Sequence, residues 1–253
     1  MSNGFRIIHA VVEAGNEGLP FADVVSATRL PKASVHRLLK ELVALSVLSF
    51  DPASRVYRGD LRLARLGANV VADYDLRRVA RPHLVALHET TGHVATLGIL
   101  GDDAGIYIDK IEPRDFGIRL HSEIGKTFPL HCTSMGKVLL ATADADTRRR
   151  LTGRKLDAYT DNTITDARRL RRELRSVAER GYAVDDEEIT RGLVCVAAPI
   201  LDAHGGVAGA MSCTFAKYVD DERGIAVEVD AVRRYARAAS GLGGAELVAA
   251  KPH

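Results

Sequence analysis

The sequence has few cysteines and no long hydrophobic run. Only Cys132, Cys195 and Cys213 occur among 253 residues, and no two of them form a CxxC pair. An odd, widely spaced set is a poor disulfide framework and fits a reducing compartment. No apolar run approaches the roughly 20 residues that span a bilayer, and the N-terminus lacks the apolar stretch and cleavage site of a signal peptide. A cytoplasmic protein is therefore expected.

The composition favours a folded protein with a substantial core. Hydrophobic residues make up 46% and charged residues 27% of the chain, which argues against disorder. Residues 1–82 hold 12 Lys and Arg against 8 Asp and Glu, a balance of +4. The remaining 23 basic and 25 acidic residues give −2. This modest basic excess at the N-terminal end is a weak indication of a nucleic-acid partner.

The first 60 residues show three short helices followed by a hairpin. Helical periodicity covers residues 4–14, a second helix fits Phe21 to Thr28, and Pro31 suits the first turn of a third. The strand-like runs 47–50 and 55–57 flank the turn signal Asp51-Pro52-Ala53-Ser54. This order is the outline of a winged helix-turn-helix.

The third helix has two contrasting faces. Val35, Leu39 and Leu42 lie on an apolar stripe, and the other side carries small or cationic residues of the kind that read guanine edges or neutralise phosphates. For this helix alone, an ordinary solvated basic face is the simpler interpretation, but the whole element order favours DNA binding. The candidate DNA-binding residues are Lys32, Ala33, Ser34, His36, Arg37, Lys40 and, on the wing, Arg55.

The rest of the chain predicts an α+β domain with a mostly antiparallel sheet flanked by helices. A connecting helix is expected over residues 60–74, and Pro82 is expected to break or restart the helix that follows. The predicted strands cover residues 93–100, 106–111, 117–124, 194–201 and 207–214. The predicted helices cover residues 134–141, 166–180, with Thr165 as N-cap, and 221–240.

Three segments resemble one known family. Residues 30–39 (LPKASVHRLL), residues 130–141 (LHCTSMGKVLLA) and residues 185–200, from DDEE to GLVCVAAPI, resemble signatures of IclR-type transcription regulators, in the same order. The resemblance covers nearly the whole chain. It implies a winged helix-turn-helix over residues 1–60, a linker helix over 61–82 and a GAF/PAS-like effector domain over 83–253. It also implies a homodimer or homotetramer, double-stranded operator DNA and a small-molecule effector, with no cofactor.

The resemblance places an effector pocket between the sheet and the start of the helix at residues 134–141. The chemistry suits a small carboxylate, because a helix N-terminus offers free N–H groups and Ser212 and Thr214 point to one face of a strand. Met135 stands where smaller residues are common in the family. Taken singly, these residues are as well explained by packing or local capping. The candidate effector-binding residues are Leu120, Ser134, Met135, Asp185, Cys195, Ser212 and Thr214.

Other classes of function stay open at the level of sequence. A thiol hydrolase would use Cys132 or Cys195 as nucleophile, with His131 or His121 as base, although the chain lacks a G-x-S-x-G elbow, a P-loop and H-E-x-x-H. The same thiols, with His131 and Asp185, are admissible zinc ligands, but no tight ligand pair occurs and no metal is expected. A third class is an interaction module that uses the winged helix only for dimerisation.

Overall fold

The computed structural model describes residues 3–72, 75–113, 122–202, 204–217 and 225–240. The chain divides into two compact units, residues 1–70 and 71–253. The predicted limits at residues 60 and 82 stay predictions. Across the described ranges, none of the helices is both long and apolar enough to cross a membrane.

The N-terminal unit is a three-helix domain with a small antiparallel sheet. Its helices are α1 (Asn3–Glu13), α2 (Phe21–Thr28) and α3 (Lys32–Ala44), and its strands are β1 (Leu19–Pro20), β2 (Leu48–Asp51) and β3 (Val56–Gly59). The strand order is β1-β3-β2. The core consists of Ile7, Val11, Val24, Leu30, Val35, Leu39, Leu42 and Leu48. The predicted winged helix-turn-helix is therefore confirmed.

The turn between α2 and α3 is short and has a defined backbone geometry. Arg29 ends α2 in the left-handed region at φ 52°, and its amide donates to the Val25 carbonyl. Pro31 precedes the first residue of α3 with φ −56°, a value the proline ring imposes. The helix α4 (Leu61–Ala72) follows the wing and leaves Leu61 and Leu66 exposed.

The C-terminal unit is an antiparallel sheet between two layers of helices. The sheet order is β6-β5-β4-β9-β8-β7. The strands are β4 (Val94–Leu100), β5 (Gly105–Ile111), β6 (Thr127–Phe128), β7 (Ala183–Asp186), β8 (Leu193–Leu201) and β9 (Val207–Ala216). The helices are α5 (Asp75–Thr91), α6 (Ser134–Thr142), α7 (Ala145–Thr152), α8 (Ala167–Arg180) and α9 (Ala226–Ser240). One core cluster joins α5 and α9 to the sheet, and another joins α6, α7 and α8 to its other face. This confirms the predicted α+β class.

Some local predictions were wrong. Helix α5 continues through Pro82, because Leu76 and Ala80 before the proline and Leu84 and Leu87 after it all pack into the same core. The N-cap of α8 is Asp166, whose carboxylate accepts the amide of Arg169 at 2.7 Å.

Four of the short labelled elements were not predicted, and one prediction falls partly outside the described residues. The unpredicted elements are β1, β6, β7 and α7. Most of the predicted strand over 117–124 lies outside the described residues, and residues 122–124 are not a strand.

Candidate functional site

The exposed face of α3 carries the predicted DNA-binding residues. Val35, Leu39 and Leu42 are buried on its inner face. Ser34 is half-buried at the border between the two faces. The exposed members of the predicted set on this helix are Lys32, Ala33, His36, Arg37 and Lys40. The helix therefore presents a continuous small and cationic surface, which is what insertion into a major groove requires.

Two of these side chains have partners within the free protein. Arg37 Nη1 lies 2.7 Å from Glu41 Oε1, one turn further along α3, and both groups are well exposed. An exposed pair of this kind contributes only about 0.3–0.5 kcal/mol, so exchanging it for a DNA contact costs little. The His36 ring meets Phe21 edge-on, with centroids 6.2 Å apart, which orients the imidazole beside the start of α2.

The wing is the hairpin formed by β2 and β3, and it carries two arginines: one is held by hydrogen bonds within the unit, and the other is exposed. Arg58 Nη1 lies 3.4 Å from Asp51, and its Nε donates to the Asn16 carbonyl at 3.0 Å. Hydrogen bonds from Ser54 and from the Ala53 amide lower the pKa of Asp51, which keeps this anchor ionised. Arg55 is exposed at φ 56° and has no hydrogen bond or ion pair to any described residue. Arg55 is thus the wing cation that is available to a phosphate.

The C-terminal unit contains a cavity of about 820 Å³ between the sheet and the start of α6. Six predicted effector residues line it: Ser134, Met135, Asp185, Cys195, Ser212 and Thr214. The seventh, Leu120, lies outside the described residues. The structure thus brings together, around one space, six side chains that are up to 80 positions apart in the sequence.

Strand register explains why the polar side chains lie on the side of the sheet that lines the cavity. Thr96 pairs with Ser212, and Cys195 pairs with both Asp185 and Thr214. Directly paired residues in neighbouring strands point to the same side of the sheet. The hydroxyls of Thr96 and Ser212 lie 2.7 Å apart, and Thr214 Oγ1 lies 3.2 Å from Cys195 Sγ. This face therefore offers hydroxyls to a ligand, whereas the other face of the same strands is apolar.

The first turn of α6 forms the opposite wall. Thr133 caps this helix by accepting the Gly136 amide at 3.1 Å, and its hydroxyl donates to the Pro129 carbonyl at 2.6 Å. The amides of Ser134 and Met135 belong to the first turn and have no carbonyl partner within the helix. The cap therefore leaves two N–H groups and the positive end of the helix dipole beside the cavity.

A buried cluster of charged groups begins at the cavity with Asp185. The Asp185 carboxylate is 1% exposed; one oxygen accepts the Glu188 amide at 2.7 Å, and the other has no partner among the described residues. Burial is the main cause that raises the pKa of Asp185 to about 7; the Glu188 carboxylate adds to the rise, and the Glu188 amide and Lys137 oppose it. The buried Lys137 ammonium pairs with Glu188 and donates to the Val184 carbonyl. Near neutral pH, the Asp185 side chain is therefore present both as the protonated acid and as the carboxylate.

Sequence reasoning missed much of the cavity wall. Thr96 is detectable in principle, because it is the polar residue of an otherwise apolar strand. Tyr107 and Phe128 form a tilted aromatic pair with centroids 4.6 Å apart, and no sequence signal connects them. Ser122 lines the cavity with a buried hydroxyl that has no partner among the described residues. The remaining apolar wall includes Leu130, Leu140, Leu151 and Leu156.

The geometry does not support a thiol hydrolase. Burial raises the pKa of Cys132 and of Cys195, whereas a nucleophilic cysteine needs a lowered pKa. His131 Nε2 lies 2.9 Å from the Asp157 carbonyl, and His121 lies outside the described residues. Within the described part of the chain, no three His, Cys, Asp or Glu side chains are arranged to hold a metal.

The sequence and the fold both match known transcription regulators. Residues 2–52 match the IclR helix-turn-helix domain, and residues 68–241 match the bacterial transcriptional regulator IclR C-terminal family. The HTH-type transcriptional regulator XynR of Escherichia coli (strain K12) is 35% identical over 205 residues, which cover 80% of this chain and 81% of that protein.

Solved structures agree with the sequence matches. The crystal structure of an IclR transcriptional regulator from Alicyclobacillus acidocaldarius gives a TM-score of 0.82 at 30% identity, covering 96% of this chain and 97% of that one. An IclR homologue from Microbacterium hydrocarbonoxydans, solved in complex with 4-hydroxybenzoate, gives 0.79 at 21% identity over 94% and 96%; that likeness concerns the fold alone. The chain belongs to the IclR family, whose members combine a DNA-binding helix-turn-helix domain with an effector-binding C-terminal domain.

Proposed function

We propose that this protein binds a palindromic operator as a homodimer or homotetramer, and that a small organic acid in the C-terminal cavity changes its affinity for that DNA. The observation that carries the proposal is the cavity wall itself. A capped helix N-terminus and a row of strand hydroxyls line the same half-open, partly apolar cavity. Such a regulator acts on DNA in the cytoplasm and catalyses no reaction.

The cavity chemistry favours a carboxylate that also carries a hydroxyl group. The amides of Ser134 and Met135 suit the carboxylate, since a helix N-terminus stabilises negative charge. The unpartnered Asp185 oxygen repels a carboxylate but accepts a bond from a ligand hydroxyl. Tyr107 and Phe128 offer a surface to the apolar body of the ligand. The 4-hydroxybenzoate bound by the Microbacterium protein is a molecule of this class.

Operator recognition is assigned to α3 and the wing. One winged helix offers a small interface, and joining two of them through an oligomer raises the affinity for a two-fold symmetric site. The apolar positions over residues 61–70 are the proposed contact between subunits; among them, Leu61 and Leu66 are 86% and 58% exposed on α4. The DNA-binding set remains Lys32, Ala33, Ser34, His36, Arg37, Lys40 and Arg55.

Selection of bound duplexes from a random pool, with and without candidate acids, tests operator recognition. On the selected site, Arg37→Ala should lose about 1–3 kcal/mol of binding and discriminate less at the base it contacts. Arg149→Ala is the matched control, because it removes an exposed arginine of the C-terminal unit that, like Arg37, has an acidic partner on its own helix. An operator affinity that Arg37→Ala leaves unchanged would remove Arg37 from the recognition surface.

Calorimetry of the full chain against a panel of organic and hydroxy acids tests the cavity. Ser212→Leu should fill the space beside Thr96 and abolish ligand binding, whereas Ser212→Ala removes only the hydroxyl and should weaken it. A ligand can shift DNA binding only through its differential affinity for the two states, and the usual coupling is about 1–3 kcal/mol. Both variants should keep wild-type operator affinity without ligand. If Ser212→Leu binds the identified acid as tightly as the wild type, the effector site lies elsewhere.

A further inference from the structure

Helix α8 carries a stripe of arginines on the outside of the C-terminal unit. Arg168, Arg171, Arg172 and Arg175 are all exposed and follow the spacing i, i+3, i+4, i+7, which places them on one face of a helix. The opposite face buries Leu170, Leu174 and Val177 in the core. Packing therefore fixes the direction in which the stripe points. We call these four residues the arginine stripe.

The arginines of the stripe have no acidic partners. None of the four makes a hydrogen bond or an ion pair with any described residue. Helix α8 has two glutamates: Glu173 bonds to Arg180 at 2.7 Å, and Glu179 is exposed four positions after Arg175, at the end of the stripe, with no hydrogen bond or ion pair to any described residue. Like charges three or four positions apart destabilise a helix, and the stripe contains four such pairs. A bound anion would relieve this repulsion.

We infer that the arginine stripe binds the phosphate backbone of duplex DNA outside the bases read by α3. The guanidinium group matches phosphate oxygens in a two-pronged geometry. From Arg168 to Arg175 the helix rises about 10 Å, which is the axial span of roughly three phosphates on one strand. A helix face of this length thus meets several phosphates at once without reading sequence.

Two observations favour DNA over an acidic protein as the partner. The exposed face around the stripe carries no large apolar or aromatic residue, and a protein interface normally needs such anchors at its centre. In addition, the family to which the chain belongs binds DNA through the N-terminal unit.

The test measures full-length protein on two duplexes of equal length, one with the selected operator and one without it. The variant Arg171→Gln/Arg175→Gln should lower the slope of log affinity against log salt by about 1.8 if each arginine neutralises one phosphate. Between about 50 and 200 mM salt, the loss of affinity would then be roughly tenfold smaller than for the wild type. Both duplexes should show the same change, because the contact is independent of sequence.

The control variant is Arg149→Gln/Arg191→Gln. It removes the same charge from exposed arginines of the same unit, but each of these is already paired, with Asp146 at 3.2 Å and Asp161 at 2.6 Å. Equal slopes for the stripe variant and the control on both duplexes would overturn the proposal. So would a stripe variant that keeps wild-type DNA binding but loses binding to poly-glutamate, since the partner would then be an acidic protein.

Different results would refute operator recognition by α3 and phosphate binding by the arginine stripe. Arg37→Ala should lower affinity only for the duplex that contains the operator, whereas the stripe variant should affect both duplexes. A chain without sequence preference would refute the proposed operator recognition and still allow the salt slopes to test the stripe. The stripe variant should also unfold at a temperature no lower than the wild type, because it relieves repulsion between like charges. A lower unfolding temperature would show that the stripe stabilises the unit and would count against its role in binding.

Discussion

Asp185→Asn should stabilise the protein, and increasingly so as the pH rises. The carboxyl of Asp185 is buried, and its pKa is about 7 instead of the ordinary 3.8. Because the folded pKa is raised, its contribution to stability is fully present below pH 3.8 and is lost as the pH rises through 7. Above pH 7 the folded chain must hold a buried carboxylate, whereas the unfolded chain holds a solvated one.

The size of this effect follows from the two pKa values. A difference of about three units corresponds to about 4 kcal/mol between the pH limits. Asn keeps an oxygen for the Glu188 amide and removes the charge, so its advantage over Asp185 should grow with pH. Between pH 5 and pH 8 that advantage should increase by roughly 2.5 kcal/mol, since part of the change already occurs below pH 5.

Urea unfolding of wild type and variant at pH 5 and pH 8 gives four free energies of unfolding. The quantity of interest is how much the difference between variant and wild type changes from pH 5 to pH 8. Constant effects of the amide, such as an altered contact to Cys195, cancel in the comparison. Asp186→Asn is the matched control, because Asp186 is the next residue, is exposed and pairs with Lys217 at 2.8 Å. A pH-independent advantage, or a variant that loses stability between pH 5 and pH 8, would refute the argument. Asp185→Asn should also weaken effector binding. The buried carboxylate would then lower stability in exchange for ligand binding.

Three further outcomes are expected. Gly136→Ala should lower the free energy of unfolding by roughly 1–3 kcal/mol, because a Cβ there would lie 2.5 Å from the Leu130 Cα and carbonyl oxygen; an unchanged melting temperature would contradict this. Lys137→Met should cost about 3–5 kcal/mol by leaving Glu188 buried without its cation. Adding Glu188→Leu should recover most of that loss, and a harmless single variant would show that the pair is not needed. Leu66→Glu should dissociate an even-numbered oligomer in analytical ultracentrifugation, and a wild type that is monomeric with and without DNA would refute the proposed interface.

The sequence identified most elements because they carry strong local signals. Helix α3 and strands β8 and β9 follow hydrophobic periods that depend only on neighbouring residues. The elements it missed have weak signals: β6 has two residues, and α7 (ADTRRRLT) is mostly polar. Pro82 predicted a break that the core overrides, because apolar residues on both sides of it pack against the same sheet.

The sequence by itself determined the family, the face proposed to bind DNA and the residue types of the proposed effector site, since these rest on motifs and on alternation within single strands. Only the tertiary structure decided which side chains meet. Thr96 and Ser212 are 116 positions apart, and Lys137 and Glu188 are 51 apart; strand register and helix packing bring them together. The shifted pKa of Asp185 likewise arises from burial, which depends on the whole fold and not on the residues beside it in the chain.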